Sequence, residues 1–359
     1  MAVLNMTAAA EALKLWYLPG LQYQLNNSNP VLSVIERDSE SVAGSEIVMA
    51  LRYGRQGGIG NRGDSDDLPT PNSRKTKQAK WETKNTFAQI QISDKTMRAS
   101  RSNRGAFVNL LEAELEDAVT DAKNNLSRQV FGDGSGILSA CENQTSVNTL
   151  NVQNIIYFAE GMLIDIIDKS AGTAVAEGRE VTVVDDINNK ITISGAAVTV
   201  TTDEIIVIHG SYQKEWTGFG AVFTPNNTLY GINRSNNKWF NPTVISHNDE
   251  ISELIIQEGI DTVDIKAGGR TNFIATSHGV RRAYQNLLQA TKQIINVMEL
   301  KGGWKTLTYN GMPFTADKYC PPGTLYGLDL SSWRLYQIMD FQWLDEDGAI
   351  LSRVPGKPV

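Results

Sequence analysis

The sequence predicts an α+β protein carrying an inserted, small antiparallel β domain, and three observations point there. Residues 46–53, EIVMALRY, place Ile47, Met49, Leu51 and Tyr53 on one face at strand spacing. Further on, Phe107, Leu110, Leu111, Leu115, Ala118, Val119, Leu126 and Val130 recur at helical spacing over one long segment. Between 155 and 213 the chain becomes a series of short β-branched runs (EVTVVDD, KITISG, AVTVTT, EIIVIHG) separated by Gly, Asp and Asn turns.

Taken in order, residues 1–45 hold a short helical candidate at 7–16 and then LPGLQYQLNNSNPVLSV, which has no sustained period and reads as an extended arm. The strand at 46–53 is answered by a second strand-like run, WETKNTFAQIQIS, beginning at Trp81. Ser102 or Asn103 can cap the long helix, which Gly132 stops after Phe131. Glu112, Glu114, Glu116, Asp117 and Asp121 crowd its polar side; with no nucleophile beside them they read as a solvated face favoured by the helix dipole, not as an acid–base pair. The runs at 155–213 predict a barrel or sandwich of about five strands. Beyond them TLYGINRSNNKWFNP is an Asn-rich loop with Tyr230, Trp239 and Phe240 as contact residues. Helices are expected at 249–258 and from Gly279 to about Glu299, with a strand, NFIATS, at 272–277, and the chain closes in strands and turns.

The segment joining the first two strands, GRQGGIGNRGDSDDLPTPNSRKTKQ, contains Gly58, Gly60 and Gly63 in the G-x-G-x-x-G spacing of a dinucleotide loop. That loop works only where a helix opens at its last glycine. Here Asp64, Asp66 and Asp67 follow, then Pro69 and Pro71, so no helix starts and the carboxylates repel phosphate. Arg62, Gly63 and Asp64 also spell an adhesion-type triplet, which arises easily by chance in a Gly-rich loop. Ile59 and Leu68 are its only large apolar residues. Ordering backbone costs about 1–2 kcal/mol per residue, whereas each such side chain returns about 1.5–3 kcal/mol when buried, so the loop needs surfaces it does not supply. Asp64, Asp66 and Asp67 lie on one limb and Arg74, Lys75, Lys77, Lys80 and Lys84 on the other, a bipolar pattern suited to docking on a neighbouring subunit. With Arg55, Arg62 and Trp81 these form the candidate intersubunit contact set.

Composition narrows the function. The chain has 359 residues, 41% of them hydrophobic, seven tryptophans and no apolar run long enough to span a bilayer, so it reads as a folded protein of one or more domains. The opening residues lack the pattern of a secretory signal, which points to maturation in a cytosol. Cys141 and Cys320 stand far apart as isolated thiols, and His209, His247 and His278 have no metal-ligand spacing, so neither metal, cofactor nor catalytic group is expected. A net charge of -7 argues against tight, sequence-tracking contact with nucleic acid.

The order of parts resembles the major capsid proteins of tailed bacteriophages, the Hong Kong ninety-seven-type fold. Three stretches carry the likeness: residues 105–132 with the following DGSG, like the spine helix and its exit; GGRTNFIATSHGVRRAYQNLL at 268–288, like the axial-domain strand and helix; and NGMPFTADKYCPPGTLYGLDL at 310–330, like the late strand pair. The resemblance implies an N-terminal arm (1–45), an E-loop hairpin (46–100), a peripheral domain with the spine helix (101–150), the inserted β domain (151–215), an axial domain (216–330) and returning peripheral strands (331–359). It further implies a non-enzymatic homo-oligomer of pentamers and hexamers, forming an icosahedral shell around double-stranded DNA that it contacts non-specifically. A portal, a separate scaffolding protein and a decoration protein are the partners to expect, with assembly in the host cytoplasm, residence in the virion and no membrane. Some members cross-link a loop lysine to a neighbour's asparagine; Lys75, Lys77 and Lys80 are candidate donors, though ordinary ion pairing is the simpler expectation. An encapsulin-type compartment would share the fold, and a carbohydrate-binding or adhesion protein could own the β module; particle contents and glycan binding would separate these.

Overall fold

The computed structural model describes residues 29–42, 46–90, 104–290, 297–299 and 305–339. The expected helix at 7–16 and the caps at Ser102 and Asn103 lie outside them. Helix α1 (Pro30–Val34) starts where the Asn29 side chain accepts the amides of Val31 (2.7 Å) and Leu32 (3.2 Å), with proline at the first position, where no amide is missed. It leads into β1 (Glu36–Asp38). Strands β2 (Glu46–Tyr53) and β3 (Lys75–Glu82) pair antiparallel without a slip, from Glu46 opposite Glu82 to Tyr53 opposite Lys75. The second strand thus lies N-terminal to the expected run: only Trp81 and Glu82 of WETKNTFAQIQIS belong to it, because the ladder is set by Ile47 facing Trp81.

Helix α2 (Arg104–Phe131) is 28 residues long, roughly 42 Å at 1.5 Å per residue. Its last turn is wholly buried, from Ser127 to Phe131. There the Arg128 guanidinium pairs with Glu215, both side chains being 6% exposed, and also donates to Asn125 Oδ1 at 2.8 Å.

The β domain opens earlier than the expected boundary at 151. Strands β4 (Ile137–Ala140), β5 (Gln144–Val147), β6 (Thr149–Asn151), β7 (Leu163–Asp168), β8 (Thr173–Asp185), β9 (Lys190–Ile193), β10 (Val198–Val200) and β11 (Glu204–Ile208) follow. Six form one antiparallel sheet in the order β4-β11-β7-β8-β9-β6, with β5 and β10 paired beside it. A bridge between Cys141 and Val152, just beyond the two edge strands, draws the sheet toward a barrel. Register shifts within the β7–β8 and β8–β9 ladders let the long β8 serve two neighbours around the bend. Its core holds Leu150, Ile164, Ile166, Val181, Ile191 and Ile206, all fully buried, with Phe158. On the opposite face Asp165 accepts from the amides of Gly178 and Gly210 (2.8 Å each) and contacts His209 Nδ1 at 2.7 Å. Burial would raise its pKa, but these hydrogen bonds and the imidazole hold it below the usual carboxylate value.

Exit and return meet at the end of α2. Gln213 donates to Ser135 O (2.8 Å), and the chain then crosses the last turn of α2 to enter α3 (Phe219–Phe223). Gly220 N donates to Gly132 O at 3.1 Å, satisfying a carbonyl the helix leaves open. Gly218 passes so close that a Cβ there would stand 2.7 Å from Gly132 O and nearer still to the carbonyl oxygens of Gln129 and Val130.

The rest forms a mixed sheet between two cores. After β12 (Thr228–Leu229) and β13 (Ile232–Asn233) comes α4 (Glu253–Ala267), capped by Ser252 and closed by left-handed Gly268; it runs nine residues past the expected end at 258. Strand β14 (Phe273–Thr276) matches the expected NFIATS, and α5 (His278–Ala290) follows. A helix to 299 was expected, but β15 (Val297–Glu299) pairs there with β16 (Lys305–Tyr309). Asn310 and Gly311, both at positive φ, turn β16 into β17 (Met312–Ala316), and β18 (Leu325–Leu328) completes the order β15-β16-β17-β14-β18. Strand β14 is buried on both faces: Phe273 and Ala275 point to Val130, Phe131 and Phe219, Ile274 to Ile256, Tyr284 and Phe314. Finally β19 (Arg334–Tyr336) pairs in parallel with β1.

Asp317, 3% exposed, follows β17 and accepts from Tyr319 N at 2.8 Å. Burial pushes its pKa up to about 6, against the opposing pull of that amide and of Asn29. Because the folded value exceeds the unfolded one, its stabilisation is complete below about pH 4 and is lost as pH rises through about 6. Asp317→Asn should therefore flatten the stability profile between pH 4 and 7 and raise stability at pH 7 by on the order of 2 kcal/mol, read by urea unfolding.

Candidate intersubunit surface: the hairpin and its foot

The alternation that predicts β2 also decides which way the hairpin faces. Ile47, Leu51 and Tyr53 share one face with Lys77, Ala79 and Trp81, and that face lies against the chain's own 228–240 segment. Tyr53 stacks on Trp239 at 4.3 Å with the rings 3° from parallel. Trp81 packs between Tyr230 (4.6 Å) and Tyr336 (5.4 Å). Lys77 Nζ donates to Asn237 Oδ1 at 2.7 Å, and Lys80 N to Tyr230 O at 2.9 Å. Stacked and edge-on ring pairs contribute about 0.5–1.5 kcal/mol each beyond area burial, so the hairpin foot is held against its own chain.

The platform beneath is built around two unusual residues. Tyr230 and Gly231 make the two-residue turn between β12 and β13, both at positive φ (51° and 76°). Gly accepts that conformation freely, but for a bulky Tyr it is strained, and the Trp81 ring and the Lys80 amide hold it there. Arg234 is 2% exposed; its Nη1 donates to the carbonyl oxygens of Val222 (2.6 Å) and Thr224 (3.0 Å), while its guanidinium lies 4.9 Å from the Phe240 ring centre. Burial lowers its pKa, yet an arginine stays charged at any ordinary pH.

Beyond the foot, residues 54–74 run out as two limbs side by side. Gly57 N donates to Asn72 O (3.2 Å), Gly58 lies against Pro71 and Gly60 against Pro69, so the glycines of the G-x-G-x-x-G spacing serve a close approach of proline rings. The turn closes where Asp66 Oδ2 accepts from Gly63 N at 2.8 Å. Arg55, Arg62, Asp64, Asp67 and Arg74 are exposed and make no ion pair among the described residues. Lys75 is exposed opposite Tyr53, and Lys84 lies 3.8 Å from Glu82 just past β3. Acid and base were expected on opposite limbs. Pairing instead gathers the acids at the tip, where Asp64, Asp66 and Asp67 sit with Arg62, and leaves Arg52, Arg55, Arg74 and Lys75 at the neck.

At the foot lies an open cavity of about 480 Å³, lined by Lys80, Trp81, Asp133, Thr217, Thr224 and the 228–231 turn. Sequence reasoning marked Lys80 and Trp81 but missed Asp133 and Thr217, which the crossing over the end of α2 brings there. Tyr230 and Trp239 had been marked as contact residues without their partners.

No protein-family model and no curated protein sequence matches this chain. Among solved structures it is similar to a chain of the cyanophage A-1(L) capsid asymmetric unit, with a TM-score of 0.52 and 12% identity, over 86% of this chain and 72% of that one. At that identity the likeness is one of fold.

Proposed function

We propose that this chain is the major capsid protein of a tailed phage, of the Hong Kong ninety-seven type, and that its work is structural and not catalytic. Copies assemble into pentamers and hexamers of an icosahedral shell around double-stranded DNA, with a separate scaffolding protein, a portal and possible sites for a decoration protein, in the host cytoplasm. The observation that carries this reading is the hairpin: its foot is clamped to its own subunit while residues 54–74 project, charged and mostly exposed among the described residues. A projecting ribbon on a fixed base suits an adjacent subunit. The fold likeness to a capsid chain supports the same reading. A net charge of -7 suits a container that holds nucleic acid without gripping it.

Replacing residues 55–73 by a two-residue Asn-Gly turn tests the reading. The expected result is a folded protein with unchanged near-ultraviolet circular dichroism that no longer forms closed particles in negative-stain images, whereas the intact chain does. Particles of equal yield from the shortened chain would count against it. Nucleic acid inside the particles fits a phage shell; an enclosed enzyme would instead indicate an encapsulin-type compartment.

A further inference from the structure

The cavity at the foot and the tip of the ribbon are complementary, and one chain cannot join its own. The cavity is lined by Lys80 and by Asp133, whose Oδ1 accepts from Ser135 N at 2.9 Å. The tip carries Arg62, Asp64 and Asp67 around a tight turn, with Asp66 already used to close it. Strand β3 and the facing pairs Gly57–Asn72, Gly58–Pro71 and Gly60–Pro69 carry the tip away from its own foot, by tens of ångströms at about 3.3 Å per strand residue. We propose that the foot cavity receives the hairpin tip of a second copy of this chain, with Asp64 and Asp67 against Lys80 and Arg62 against Asp133. This rests on the shell reading and adds to it the surface on which the ribbon lands.

The geometry has a consequence for symmetry. Tip and foot are different surfaces, so each copy gives one and receives one; such a contact is head-to-tail and closes into a ring when the rotation per step allows. The in-chain clamp then has a second role. Trp81 and Tyr230 line the cavity as well as fixing the hairpin, so docking of an incoming tip and the direction of the outgoing ribbon share the same residues.

Charge exchange tests the pairing. Asp64→Lys with Asp67→Lys should raise the concentration needed for assembly about tenfold or more, as should Lys80→Glu alone, since each leaves like charges facing across the contact. Uniting all three changes in one chain restores opposite signs and should recover most of the loss. Independent, additive losses would overturn the proposal even where shells still form, leaving the shell reading intact; an intact chain that never associates would overturn both. A second arm uses Ser65→Cys with Thr217→Cys, the native Cys141 and Cys320 being buried. Under mild oxidation the double variant should give a ladder of linked multimers where either single variant stops at dimers, and the absence of a ladder from assembled particles would overturn the tip-to-foot contact.

Discussion

Gly218→Ala is expected to cost at least about 3 kcal/mol, or to abolish soluble folded protein altogether, as read by denaturant unfolding. The added carbon would stand inside the contact distance of three carbonyl oxygens at the end of α2, all of them backbone, so no side chain can turn aside to make room. Either the return crossing lifts, losing the Gly220 amide to Gly132, or the helix end unwinds. Gly172→Ala is the control: its φ of 67° disfavours a side chain, but nothing lies within 4 Å, and its cost should stay near 1–2 kcal/mol. Equal losses in the two variants would show that space at position 218 is not what matters.

The second large effect concerns the ion pair beneath that crossing. Arg128→Met should destabilise by about 3–5 kcal/mol, because it leaves the Glu215 carboxylate buried without its cation. Pairing it with Glu215→Leu removes both charges, and the double variant should return to within about 1–2 kcal/mol of the parent or exceed it. A double-mutant cycle by urea unfolding measures the coupling directly. Simple additivity would mean that the two side chains do not share their burial. Both experiments probe one joint, where α2 ends, the β domain leaves and the chain comes back.

Much of this architecture was legible because local signals were strong. Gly132 ends the long helix where expected, and NFIATS forms β14. What escaped notice was non-local. Strands β4 and β6 are short, and their ladders run to β11 and β9, far along the chain, so neither ILSA nor TLN carries a periodicity that betrays it. Val297 to Glu299 continues a helical pattern in sequence, yet pairing with β16 prevails. The hairpin divides the same way. Its charged residues and the aromatic platform were visible separately, but only the register of Ile47 against Trp81 shows that one face of the hairpin is committed to its own chain and that the carboxylates gather at the tip of the ribbon.

The two prolines of the outer limb bear on solubility. An open β edge can pair with any other edge it meets. Pro69 and Pro71 each lack an amide donor, and the glycines opposite give the limb little propensity to lengthen the ladder. The outer limb therefore offers an encountered edge little to pair with, which disfavours edge-to-edge stacking into fibrils.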